Sequence, residues 1–188
     1  MTESKNRQWI WNARPAGKMT GEEFRWNEAS TPKPSDGQVL VRNLWLSFDP
    51  AQRIWMSRDC YMPKLPLGDV MRSLAVGQVL ESRRPEFKLG DLVRGSFGWQ
   101  DYVATDEKKV LRDPQTPPGL PPNLALSLFG LNGLTAYFGI TEIGQVKAGE
   151  TVVVSGAAGA TGFVAGQIAK IKGSRVIGTA GGKEKCDT

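Results

Sequence analysis

The chain has 188 residues, 40% of them hydrophobic and 23% charged, with a formal net charge of +5, two cysteines and no histidine. This is the balance of a globular protein with room for one domain or one and a half, and no apolar run is long enough to span a bilayer. The missing histidine excludes Ser-His-Asp and Cys-His catalysis within these residues, and Cys60 and Cys186 are too few for a four-cysteine zinc site.

Lysines and arginines are scattered. Arg83-Arg84 and Lys108-Lys109 are the basic pairs, each at an expected loop or hairpin, so a nucleic-acid surface finds no support. Met1 to Arg14 is polar and lacks the apolar core of a signal peptide, and the two cysteines make no disulfide framework. A reducing cytoplasm is the expected compartment.

From Gln8 to about Asp113 the pattern is β-rich. Trp9 and Trp11, then Phe24 and Trp26, alternate with polar neighbours as half-buried strands do. Asp36-Gly37 turns the chain into a strand over 38–47, and shorter strands are predicted at 75–82, 91–94 and 99–104. Short strands with turns at this spacing predict an antiparallel, barrel-like domain. Within it, Asp49 and Pro50 open a short helix, with Asp49 as its N-cap. A Pro-punctuated loop follows to Arg72, in which Met56, Tyr61 and Met62 form an apolar rim with one phenolic hydroxyl. The alternative reading of this loop is packing on its own barrel. The Pro-rich stretch 113–122 marks the boundary between domains 1–122 and 123–188, and Asn123 then caps a helix over 124–129. A second helical piece covers 130–139.

The chain is organised around what comes next. Thr151-Val-Val-Val-Ser155 reads as a parallel strand buried on both faces, since it does not alternate. A glycine turn follows, and then a helix with Val164, Ile168 and Ile171 on one face, stopped by Gly173. Residues 174–180 supply a second strand, completing a βαβ unit. Dinucleotide sites place G-x-G-x-x-G in this context, and here it stands as Ala157-x-Gly159-x-x-Gly162, with Gly166 one helical turn on. Backbone N–H groups and the helix N-terminus would meet a diphosphate there; a plain Gly/Ala-rich turn of some other α/β protein is the competing reading. An NAD site wants an acid near the end of the second strand, but 178–182 carries none, and Lys183-Glu-Lys185 follows. Small residues and a lysine favour the 2′-phosphate of NADP(H), although Lys-Glu-Lys also fits a solvated helix start.

These parts together resemble the zinc-independent branch of the medium-chain dehydrogenase/reductases: the leukotriene B4 dehydrogenase/prostaglandin reductases, plant double-bond reductases and bacterial curcumin reductases. The matching motifs are Ser47-Phe-Asp-Pro50 with Arg53 and Met56, residues 66–72, 98–102 and 133–139, the glycine turn, and 180–186. The resemblance implies a β-rich GroES-like barrel followed by the start of an α/β Rossmann fold, here one βαβ unit. It implies NADPH-dependent reduction of the C=C bond of an α,β-unsaturated ketone or aldehyde, with no metal.

It also implies site residues. Asn132, Gly133, Thr135, Ala157, Gly159, Ala160, Thr161, Gly162, Gly181 and Lys185 fall at the cofactor, Lys185 at its 2′-phosphate. Met56 and Tyr61 fall on the substrate side, and the Tyr61 hydroxyl and the cofactor's own ribose 2′-OH are the candidate donors to the oxygen where negative charge develops. The chain departs from the family at Ala51 and Gln52, where tyrosine and methionine are common, and at Gly182, where serine is common. Small-molecule enone or alkenal substrates, no nucleic acid, no membrane and a homodimeric family habit complete the expectation. Family members are longer, so the chain reads as truncated after its first βαβ unit. The alternative is a catalytically inactive cofactor-binding module.

Overall fold

The computed structural model describes residues 5–106, 110–112 and 116–187. The basic pair Lys108-Lys109 and the first residues of the Pro-rich stretch, 113–115, lie outside the described residues. The chain divides into two compact units, Met1–Pro114 and Gln115–Thr188, so the division falls a few residues before the expected 122/123 boundary.

The first unit is antiparallel throughout. Strands β1 (Lys5–Trp11) and β2 (Phe24–Ser30) form a hairpin. Strands β3 (Val39–Leu46), β4 (Ala75–Ser82), β5 (Leu92–Gly95), β6 (Tyr102–Thr105) and β7 (Leu111–Arg112) form a sheet in the order β6-β3-β4-β5-β7. The hairpin is stitched to the connecting segments: Trp9 N–H donates to Trp99 O at 2.9 Å, and Met71 N–H donates to Trp9 O at 2.8 Å. Trp99 therefore serves β1 from outside β6, which begins at Tyr102 rather than at the expected residue 99.

Alternation delivers two cores. Val39, Val41, Ala75, Val79, Phe87, Val93 and Phe97 fill the sheet side, while Trp11, Met56, Leu65 and Met71 fill the side under the hairpin. Each such fully buried apolar side chain is worth about 1.5–3 kcal/mol. Helix α1 (Ala51–Ser57) sits where expected, but Pro50 occupies its N-cap position and no side chain caps it. Asp49 instead accepts the Ser47 hydroxyl at 2.6 Å. Arg83 pairs with Asp36 at 3.3 Å, and Arg84 pairs with Glu86, so this basic pair is matched by acids.

The second unit starts with a 3-10 turn, Pro122–Leu126, whose cap position is Pro121; Asn123 is inside it and caps nothing. Helix α2 (Leu131–Phe138) runs on into a π-helical turn at Gly139–Ile143. Then come β8 (Thr151–Ser155), α3 (Ala160–Ile171), β9 (Arg175–Thr179) and α4 (Lys183–Cys186). β8 and β9 pair in parallel, Thr151 opposite Arg175 through Ser155 opposite Thr179. This is the βαβ unit the glycine turn required.

Two burial expectations fail here. β8 alternates in exposure, with Val153 66% exposed, and Ile171 is 84% exposed. Helix α3 covers one face of the strand pair with Ala169 buried at the contact, and the other face has no element on it among the described residues. A run of apolar residues identifies what could be covered, not what is.

Candidate functional site

The local geometry follows from where side chains are missing. β8 ends at Ser155 and the chain reverses through Gly156, whose φ of +63° is a left-handed value that glycine adopts without cost. Gly159 takes the N-cap position of α3, and Phe163 is the first α3 residue whose N–H is returned to the turn, to Gly159 O at 2.8 Å. The N–H groups of Ala160, Thr161 and Gly162 precede that bond, at the positive end of a twelve-residue helix. A Cβ on Gly162 would stand 2.4 Å from Gly156 O, and one on Gly178 in β9 would stand 2.7 Å from the Ala157 Cβ. Turn and helix therefore approach backbone to backbone, and the second strand packs against the Ala157 methyl. By contrast, a Cβ on Gly166 would meet Val176 at an ordinary 3.6 Å, so the close packing lies at Gly162 and Gly178.

Along α3 and β9, starting at Ala157 and Gly162, lies a cavity of about 420 Å³ whose lining does not include Gly159, Ala160 or Thr161. Ala157, Gly162, Gly166, Gly178, Ala180 and Lys185 line it, joined by Gln167, Lys170 and Cys186. None of the lining residues is acidic. Two lysines and no carboxylate in the lining fit a phosphorylated ligand better than a bare ribose diol. Gln167 and Lys170 were missed by the motif reading. Their signal is helical spacing: they stand four positions after Phe163 and Gly166, on the same stripe of α3.

The remaining predicted cofactor residues distribute as follows. Asn132, second in α2, accepts the Thr161 hydroxyl proton at 3.0 Å and so connects the beginnings of α2 and α3. Gly133 is buried where a Cβ would meet Leu128 O at 1.7 Å. It lines a second, apolar cavity of about 380 Å³ with Leu134, Tyr137, Val164 and Ile168. Thr135 is exposed on α2, and Gly181 faces open space between β9 and α4.

In the first unit, Tyr61 is 72% exposed and its hydroxyl accepts the Trp55 indole proton at 3.0 Å, with the rings edge to face. Its own proton remains available to an outside acceptor. Met56 corrects the rim expectation. It is 4% exposed and packs with Trp11, Leu65 and Met71, because α1 turns it inward against the hairpin. It supports the loop from below and does not form its surface. Among the described residues no three Cys, Asp or Glu side chains gather closely enough to hold a metal ion, and no helix is long and apolar enough to cross a membrane.

An antiparallel barrel-like unit followed by a glycine-turn βαβ unit is the architecture of the medium-chain dehydrogenase/reductases, a GroES-like barrel and the beginning of a Rossmann fold. The family described as the N-terminal domain of oxidoreductase matches residues 7–112, and the chain belongs to it. Its relatives lie in the curcumin and prostaglandin reductase group. The chain is 42% identical over 185 residues to NADPH-dependent curcumin reductase of Escherichia coli, covering 98% of this chain and 53% of that protein. It is 41% identical over 191 residues to prostaglandin reductase 1 of Oryctolagus cuniculus, covering 100% of this chain and 52% of that one. The structure of CurA from Vibrio vulnificus in complex with NADPH matches with a TM-score of 0.88 at 42% identity, over 96% of this chain and 53% of that chain. The chain thus spans about half the length of the curated relatives it matches.

Proposed function

We propose that the chain belongs to an NADP(H)-dependent oxidoreductase that reduces the C=C bond of α,β-unsaturated ketones or aldehydes without zinc. The observation that carries this reading is the cavity beside the glycine turn, lined by Gly162 and Lys185 and by no carboxylate. The backbone N–H groups of Ala160, Thr161 and Gly162, at the start of α3, would hold the diphosphate, and Lys185 in the cavity lining would neutralise the 2′-phosphate. Bound NADPH supplies the hydride. As hydride reaches the β-carbon of the enone, negative charge grows on the carbonyl oxygen, and a preorganised donor lowers the barrier. Tyr61 is the candidate within this chain, since Trp55 fixes its ring and leaves its proton outward. The absence of histidine from the sequence supports the zinc-free reading. The relatives' names, NADPH-dependent curcumin reductase and prostaglandin reductase 1, support the cofactor and the substrate class.

A second reading follows from coverage: a chain spanning about half of its relatives can bind cofactor and do no chemistry. Fluorescence titration with NADPH and NADH, followed by an assay of NADPH loss with a simple enone, separates the two. Tight NADPH binding without turnover supports the binding module. Lys185→Ala should weaken NADPH about tenfold, the scale of one charge-assisted hydrogen bond, and leave NADH unchanged. Equal affinity of the unaltered protein for both nucleotides would overturn the Lys185 assignment.

A further inference from the structure

Two helices begin side by side in the second unit, and one side-chain hydrogen bond joins their first turns. Thr161 is the second residue of α3, and its Oγ1 donates to Asn132 Oδ1, in the second position of α2, at 3.0 Å. Both residues are partly buried. Neither helix has a side-chain cap: Gly159 stands at the cap position of α3 and Gly130 at that of α2. The first turn of α3 is thus held by backbone contacts to Gly156 and by this bond from outside the helix. A frayed first turn would scatter the N–H groups of 160–162 that must point at one place.

We propose that Asn132 is a positioning residue for the phosphate turn, acting through Thr161 rather than by touching the ligand. The amide of Asn132 takes the Thr161 hydroxyl proton and fixes that side chain, which locks the first turn of α3 with its backbone N–H groups convergent. Thr161 then offers a diphosphate its N–H, while its hydroxyl faces the protein. The α2 helix takes part in nucleotide affinity without lining the turn cavity, whose residues come from the turn, α3, β9 and α4. The inference rests on the diphosphate reading for its ligand.

The test uses the 188-residue chain, with Asn132→Ala and Thr161→Val made singly and together and Thr161→Ser as the conservative variant. Three quantities are read: NADPH affinity by dihydronicotinamide fluorescence, affinity for 2′-AMP by calorimetry, and ligand-free amide exchange at residues 160–164. Each single change should weaken NADPH about fivefold, the double change no more than either alone, and Thr161→Ser should stay within about twofold. Affinity for 2′-AMP, which has the ribose phosphate but no diphosphate, should not move. Losses that multiply in the double variant, or an equal loss for 2′-AMP, would overturn the proposal by showing independent or merely structural effects. If the unaltered protein binds neither nucleotide, the cofactor reading fails by itself. The positioning role is then decided by exchange: faster exchange at 160–164 in Asn132→Ala upholds it, and an unchanged rate overturns it.

Discussion

Single side chains in the first unit are placed by backbone groups more often than by opposite charges. Glu23 is buried beside the turn before β2, where its carboxylate accepts Gly21 N–H at 3.0 Å and Thr20 N–H at 3.3 Å. Backbone N–H groups, its own first and then those of Gly21 and Thr20, hold its carboxyl below the ordinary value of 4.5, against burial, which pushes the other way. A carboxyl whose folded pKa lies below its unfolded one contributes stability above the unfolded value and loses it as pH falls through the folded value. Glu28, held down by Lys5, and Glu86, held down by its own N–H and by Arg84, act in the same direction. Glu23→Gln should therefore melt lower than the unaltered protein at pH 7, with the gap closing as the solution is acidified below about pH 4.5. Melting temperatures of the two proteins across that range check it, and a constant gap would contradict the linkage.

At the scale of elements, α1 shows how a motif becomes a fixed loop. Gln52, 5% exposed, accepts Asp49 N–H at 3.1 Å and donates to Ser47 O at 3.2 Å and Arg72 O at 3.1 Å. Ser73 adds its hydroxyl to Ser47 O at 2.7 Å. One amide thereby joins the end of β3, the start of α1 and the approach to β4. Gln52→Leu keeps the volume but strips Asp49 N–H and Arg72 O of these partners, so unfolding free energy in urea should fall by about 1–3 kcal/mol. An unchanged midpoint would show the amide to be dispensable.

None of these bonds was legible in the sequence, where Gln52 registered only as a departure from a common methionine. What could be read were signals confined to a few neighbouring residues. The strand, turn and helix around Gly162 announce themselves through spacing, and so do the strand positions of the barrel. Burial is different, because periodicity says which residues share a face and not which face finds a cover. Met56 was expected outside and is inside; Val153 and Ile171 were expected inside and are outside. The Asn132–Thr161 bond joins residues twenty-nine positions apart, beyond the reach of any local pattern.

Across the whole molecule the two units are finished to different degrees. The first has two filled cores, whereas the second presents Leu131, Phe138, Ile143, Val153, Phe163 and Ile171 to solvent. A parallel pair covered on one face, with unpaired strand edges, invites association. The chain as given should bind an apolar dye and sediment faster as its concentration rises; a concentration-independent monomer with no dye signal would contradict this. The packing around the glycine turn has its own consequence for engineering. Positions 157 and 178 share a single methyl's worth of room, because Ala157 fills the space that Gly178 leaves. A mutant library that enlarges one of the two while holding the other constant will mostly return collapsed turns. Redesigning this turn means choosing both residues as one letter.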